Sequence, residues 1–104
     1  MQMQAVDIVD FFYSGNYDYS DYKILDVREE SEYIEGHIKK SIFIPRGLLE
    51  FTIKDGIPDR TSKIAIYCRE GKRSALAANT LLKLGYTNVV NLVGGWEQYC
   101  KMRK

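Results

Sequence analysis

The chain has 104 residues, 45% of them apolar and 28% charged, with a net charge of +1. That balance describes one globular domain over residues 1–104, large enough to bury a core. A charge so near zero gives no long-range field to select nucleic acid or an anionic membrane, and no apolar run approaches the roughly 20 residues of a membrane helix.

In chain order, Gln4 to Tyr13 places Ala5, Ile8, Val9 and Phe12 on one helical face, with Gly15 closing it. Asp7 and Asp10 stand where a signal peptide calls for a basic start and an apolar run, so the cytoplasm is the expected compartment. Ser14 to Tyr22 mixes turn formers and tyrosines without a period and reads as a soft link. Tyr22 to Val27 is a strand, Glu29 to Glu35 a short helix stopped by Gly36, and Ile42 to Ile44 a strand ended by Pro45. Arg46 to Phe51 forms a further short helix, and Asp55-Gly56 and Ile57-Pro58 mark turns.

Lys63 to Tyr67 is a β-branched and aromatic strand. Ala75 to Leu84 repeats apolar residues at helical spacing until Gly85 stops it. Asn88 to Leu92 is the final strand and Gly94-Gly95 a tight turn; in the closing helix, Trp96 to Met102, Trp96 and Tyr99 pack onto the sheet. Strands alternating with helices through short loops predict an α/β three-layer sandwich. Its sheet is mainly parallel, of about five short strands, with helices on both faces.

Cys68 falls where the Lys63–Tyr67 strand hands over to a helix, on the edge at which open parallel sheets bind ligands. Between the two lie Arg69, Glu70, Gly71, Lys72, Arg73 and Ser74. A loop folded back over the cysteine aims backbone N–H groups at its sulfur, and the next helix adds its positive dipole end. Arg69, Lys72 and Arg73 add positive charge, opposed only by Glu70. All of these favour the thiolate, the nucleophilic form, and the same cradle accepts an anionic substrate. A lone cysteine after a strand is ordinarily a small buried hydrophobe. Three cations and a helix start directly behind this one make packing alone a poor explanation.

Four segments in this order resemble the single-domain rhodanese (sulfurtransferase) family: LDVREESEYIEGHI (Leu25 to Ile38), IPRGLLEF (Ile44 to Phe51), YCREGKRS (Tyr67 to Ser74) and GYTNVVNLVGGWEQY (Gly85 to Tyr99). The resemblance implies a rhodanese-like fold in which Cys68 carries sulfur as a persulfide. Arg69 through Arg73 would wrap the sulfur and Ser74 would open the helix behind it. It also implies a small anionic sulfur donor such as thiosulfate, and an acceptor that is cyanide, a small thiol or a protein cysteine. No cofactor is needed, because the sulfur rides on the protein. The family often follows its histidine and isoleucine with Pro-Gly-Ala, whereas this chain has Lys39, Lys40 and Ser41, a departure that bears on the local turn.

The remaining polar residues divide between structure and chemistry. Asp26 is expected to cap the next helix or order a neighbouring loop. Arg28 either pairs with Glu32 at helical i, i+4 spacing or faces the pocket. His37 would make a general base for Cys68, but the family pattern implies a scaffold residue whose ring hydrogen-bonds the backbone. Arg46, after Pro45 on the same edge as Cys68, is a candidate contact for the anionic substrate, with a solvated arginine as the alternative. Lys39, Lys40 and the terminal KMRK read as solvated charge, and Cys100 as inert. Cys68 and Cys100 lack C-x-x-C spacing and a single histidine excludes the usual zinc patterns, so no metal site is expected.

Two other functions fit the same elements. A cysteine phosphatase or arsenate reductase of this fold also has a cysteine loop ending in arginine, but phosphatases place five residues between the two. Here Arg69, Glu70, Gly71 and Lys72 alone precede Arg73, a tighter ring suited to one sulfur atom. A regulatory or redox-sensing module would use the same low-pKa thiolate as its sensor.

Overall fold

The apolar run Lys63–Tyr67 becomes the middle strand of a five-stranded sheet in which every pairing is parallel. The computed structural model describes residues 3–103. The elements are β1 Gln4–Asp7, α1 Ile8–Tyr13, β2 Lys23–Asp26, α2 Glu30–Glu35, β3 Ile42–Phe43, α3 Leu49–Gly56, β4 Lys63–Tyr67, α4 Lys72–Lys83, β5 Asn88–Val93 and α5 Gly95–Met102. Short 3₁₀ turns lie at Tyr19–Asp21 and Arg46–Leu48. The strand order is β1-β5-β4-β2-β3, so β4 is covered by neighbours on both sides.

Strand alternation divides the core in two. Ile64, Ile66 and Cys68 point to one face, where Ala77, Ala78 and Leu81 of α4 and Leu49 and Ile53 of α3 cover them. Ala65 and Tyr67 point to the other, against Ile8 and Phe11 of α1 and Trp96 and Tyr99 of α5. Burial on both faces explains why β4 is apolar along its length rather than alternating with polar residues. Each of its isoleucines, with no exposed surface, contributes roughly 2–3 kcal/mol of hydrophobic stabilisation. The architecture is the expected α/β three-layer sandwich. Among the described residues, no helix is long and apolar enough to cross a membrane.

Three elements differ from the sequence expectation. Residues Gln4–Asp7 are not helix but the edge strand β1, pairing from Gln4 beside Val90 to Asp7 beside Val93 of β5. The helix begins at Ile8, where the Asp7 carboxylate accepts from the N–H groups of Val9 at 2.8 Å and Asp10 at 3.3 Å. Pairing with β5 satisfies a backbone that propensity alone left to a helix. The Arg46–Phe51 helix is instead a 3₁₀ turn followed by α3, which runs on through Asp55-Gly56 because Ile53 and Ile57 are both fully buried. The Ser14–Tyr22 link is packed, with the rings of Tyr17 and Tyr22 lying 5.4 and 5.0 Å from that of Phe11. At the Lys39–Lys40 departure, Lys40 takes a left-handed backbone (φ 67°), which costs a non-glycine residue roughly 1 kcal/mol.

Parallel strands bring their carboxyl ends to one edge. Cys68 after β4, Pro45 and Arg46 after β3, and Gly94 after β5 all stand on it.

Candidate active site

Cys68 sits at the end of the central strand, and the chain then turns sharply into α4. The helix starts at Lys72, so Ser74 is its third residue rather than its opening one. Gly71 occupies the N-cap in a left-handed conformation (φ 113°) open to glycine and strained for most others. Gly71 has no side chain to cap the helix, and the Cys68 sulfur takes that part. Sγ accepts from the N–H of Gly71 at 3.1 Å and of Ser74 at 3.3 Å. A negative charge on the sulfur therefore rests on otherwise unpaired amides at a helix's positive end.

The loop holds this shape because its carbonyls are tied outward. Trp96 N–H donates to Cys68 O at 2.8 Å, Glu97 N–H to Arg69 O at 3.1 Å, and Gly94 N–H to Glu70 O at 3.1 Å. The Gly71 carbonyl accepts from Asn91 Nδ2 at 3.2 Å. In a planar trans peptide the carbonyl and the following N–H point opposite ways. Four consecutive carbonyls held away from the sulfur thus turn the next N–H groups toward it. Asn91 and the β5–α5 turn, which provide these tethers, were not among the sequence candidates.

Cys68 is 1% exposed, at the bottom of this cup. Burial is the largest single influence on its thiol and pushes the pKa up. Hydrogen bonds from the Ser74 side chain and from the Ser74, Gly71 and Glu70 amides together outweigh it, so the thiol titrates below its ordinary value.

The loop cations are less free than the sequence implied. Arg73 grips Glu32 of α2 with two hydrogen bonds, at 2.8 and 3.0 Å. Arg69 pairs with Glu97 of α5 at 3.2 Å, in the open. Positive charge on the loop is therefore opposed by three carboxylates, not by Glu70 alone. Lys72, Glu70 and Arg46 are exposed, and Arg46 stands in the 3₁₀ turn that packs beside α4. The Arg73 hydrogen bonds, aided by the Glu29 amide and opposed by burial, hold the Glu32 carboxyl at about 2. A depressed carboxyl stabilises the fold above its unfolded pKa of about 4.3 and loses that contribution as pH falls toward the folded value. Thermal melts of the parent should therefore drop more steeply than those of Glu32→Gln below about pH 5 and run parallel above it. The pair is partly solvated, so the difference at neutral pH should be about 1 kcal/mol.

A profile of the Rhodanese-like domain family matches residues 13–102. The chain belongs to this family. It is 33% identical over 87 residues to a putative mitochondrial thiosulfate sulfurtransferase of Schizosaccharomyces pombe, matching 73% of this chain and 61% of that protein. It thus spans less than two thirds of the yeast protein's length. It is 35% identical over 78 residues to a sulfurtransferase of Allochromatium vinosum, matching 75% of this chain and 71% of the other. The crystal structure of a rhodanese-related protein from Thermoplasma volcanium aligns with a TM-score of 0.80 at 35% identity, covering 94% of this chain and 91% of that one.

In this rhodanese-like domain a buried polar network fixes the strand end from which the cup springs. Asp26, with no exposed surface, accepts from Arg28 N–H, Nε and Nη2 at 2.8–3.1 Å and from the Tyr67 hydroxyl at 2.6 Å. The Tyr67 oxygen accepts in turn from Ile38 N–H at 3.0 Å. Burial, then Asp26, pushes the Tyr67 pKa up, which keeps its proton in place. Arg28 therefore pairs with Asp26, neither with Glu32 nor into the pocket. His37 is exposed, stacks on Tyr33, and places Nδ1 2.9 Å from the Tyr33 carbonyl, the scaffold position. The structure brings Cys68, Gly71 and Ser74 together; His37 stays outside.

Proposed function

We propose that this domain is a thiosulfate sulfurtransferase in which Cys68 carries sulfur between a donor and an acceptor. The Cys68 thiolate attacks the outer sulfur of a small anionic donor such as thiosulfate. A bond forms between Sγ and that sulfur, the donor's S–S bond breaks, and sulfite leaves with the electron pair. A thiophilic acceptor (cyanide, a small thiol or a protein cysteine) then takes the outer sulfur, and Cys68 departs as thiolate. No metal or organic cofactor enters either half. The amides of Arg69 through Ser74 stabilise the developing negative charge as a preorganised oxyanion hole does. Lys72 and Arg46 receive the donor's anionic end, the loop's other cations being engaged by carboxylates.

The observation that carries this reading is the ring of outward-tied carbonyls around a sulfur that accepts from two amides. A thiol must stay reduced for the cycle, which suits a reducing compartment such as the cytoplasm. Incubation with thiosulfate followed by peptide mass mapping should place one added sulfur on the Cys68 peptide and none on Cys100. Cyanide should then remove it as thiocyanate. An unlabelled Cys68 peptide would sink the proposal.

The rival functions draw less support. A phosphatase needs its loop arginine free to grip phosphate, whereas both terminal nitrogens of Arg73, Nη1 and Nη2, engage Glu32. A redox sensor requires only a reactive thiolate, and a loop whose carbonyls are all tied outward around the sulfur goes beyond that need.

A further inference from the structure

Ser74 has one hydroxyl proton, and two buried groups call for it. Asn91 of β5, 4% exposed, directs Nδ2 at the carbonyl of Gly71, which only accepts. Its Oδ1, also only an acceptor, is thereby left facing Ser74 Oγ at 2.5 Å. The Ser74 hydroxyl must donate there. With its proton so directed, the Ser74 hydroxyl has none left for the Cys68 sulfur, which accepts from the Ser74 amide at 3.3 Å. A thiolate makes the opposite demand. It takes the hydroxyl proton for itself and leaves Asn91 Oδ1 buried without a donor, a costly state.

We propose that Asn91 is a positioning residue that competes with the Cys68 thiolate for the Ser74 hydroxyl, and so sets how readily the sulfur ionises. The competition has a direction in the catalytic cycle. In the unloaded thiolate the charge sits on Sγ and draws the hydroxyl away from Asn91. In the persulfide the charge moves to the outer sulfur, Sγ becomes neutral, and the hydroxyl returns to Asn91. Asn91 therefore favours the loaded form over the unloaded thiolate and slows the release of sulfur until an acceptor arrives. This last step rests on Cys68 being the sulfur carrier; the competition for the proton does not.

Asn91→Leu keeps the branched shape and removes the acceptor; the Gly71 carbonyl that loses Nδ2 still accepts from Ala75 N–H at 3.2 Å, so the loop stays tied while the Ser74 hydroxyl is released to the sulfur. Thiolate ultraviolet absorbance followed against pH, with no sulfur donor present, should show the Cys68 pKa lower in Asn91→Leu. At a fixed pH below the pKa the thiolate fraction should rise about threefold, the change that half a pKa step produces. Ser74→Ala should move the pKa up, and adding Asn91→Leu to Ser74→Ala should move it no further. The ionisable groups around the cup are common to all four proteins: Arg69, Glu70, Lys72 and Arg73 of the loop and α4, Glu29 and Glu32 beside α2, Glu97 of α5 and the Asp26–Arg28 pair after β2. Differences between the proteins therefore report the hydroxyl. A pKa that rises or stays put in Asn91→Leu, or an effect of equal size with and without Ser74, overturns the proposal. Should Asn91→Leu fail to fold, Asn91→Asp replaces it. Its carboxylate holds the hydroxyl more strongly, so the pKa should rise, and by clearly less once Ser74 is alanine; an equal rise in both backgrounds overturns the proposal. Because no sulfur donor is used, a failure of sulfur transfer leaves this titration readable.

Discussion

Gly95→Ala should cut sulfur transfer by at least about a hundredfold although Cys68 is still present. A Cβ at position 95 would stand 2.4 Å from the Cys68 carbonyl oxygen and 2.6 Å from that of Arg69. Both are backbone atoms, so no side-chain rotation relieves the overlap, and Gly95 also has φ 56°, where alanine is strained. To make room α5 must withdraw from the loop. The bonds that Trp96 and Glu97 donate to those two carbonyls are then lost. Untied carbonyls swing toward the sulfur and replace a field that favours an anion with one that opposes it. The expected loss in kcat/KM is at least about a hundredfold, the scale seen when a preorganised donor is removed. Stability should fall by about 2–4 kcal/mol from the two lost hydrogen bonds and the overlap. Transfer assays, thermal melts and a thiol titration check the three consequences, the Cys68 pKa rising in the folded fraction. Cys68→Ala should lose transfer and keep its fold. A folded Gly95→Ala protein working within about threefold of the parent would show that outward carbonyls are not what polarises the sulfur.

Legibility in the sequence followed distance along the chain. β4 was readable because both its faces are buried, which leaves an unbroken apolar run, and the Cys68 cup because its members lie within seven consecutive residues. β1 was not, since four edge residues followed by a real helix show a helical period. Asp7 held the missed signal: an acidic residue directly before an apolar run is an N-cap. The tethers were beyond reach for another reason. Glu32 meets Arg73, and Asp26 meets Tyr67, across 41 residues each, and Ser74 meets Asn91 across 17. One cue did exist for Asn91. In NVVNLV it shares a face with Val89, a lone amide pointing into an apolar layer, and a buried polar group needs a partner. Loop charge was overestimated because sequence counts cations and the fold pairs them.

Asp26→Ala should destabilise the domain by about 3–5 kcal/mol, a large share of the 5–15 kcal/mol typical of a whole domain. Arg28 is 2% exposed, with its guanidinium 4.9 Å from the Trp96 ring and 5.5 Å from that of Tyr67. Besides Asp26, its side chain donates among the described residues only to the Gly36 carbonyl, at 2.6 Å. Burial alone lowers the Arg28 pKa, and Asp26 more than reverses this, so the charge is tolerable in the interior only because of its partner. With the carboxylate gone the arginine cannot shed its proton, and the ring faces offset little of the lost pairing. Tyr67 would also lose its acceptor, one residue before Cys68. Removing both charges tests the cause. Asp26→Leu combined with Arg28→Met leaves no unpaired ion, so it should be more stable than Asp26→Ala by at least about 2 kcal/mol. Urea unfolding midpoints of the parent, the single and the double variant decide the matter. If the single and double variants unfold together, the loss comes from packing around β2 and not from a stranded charge.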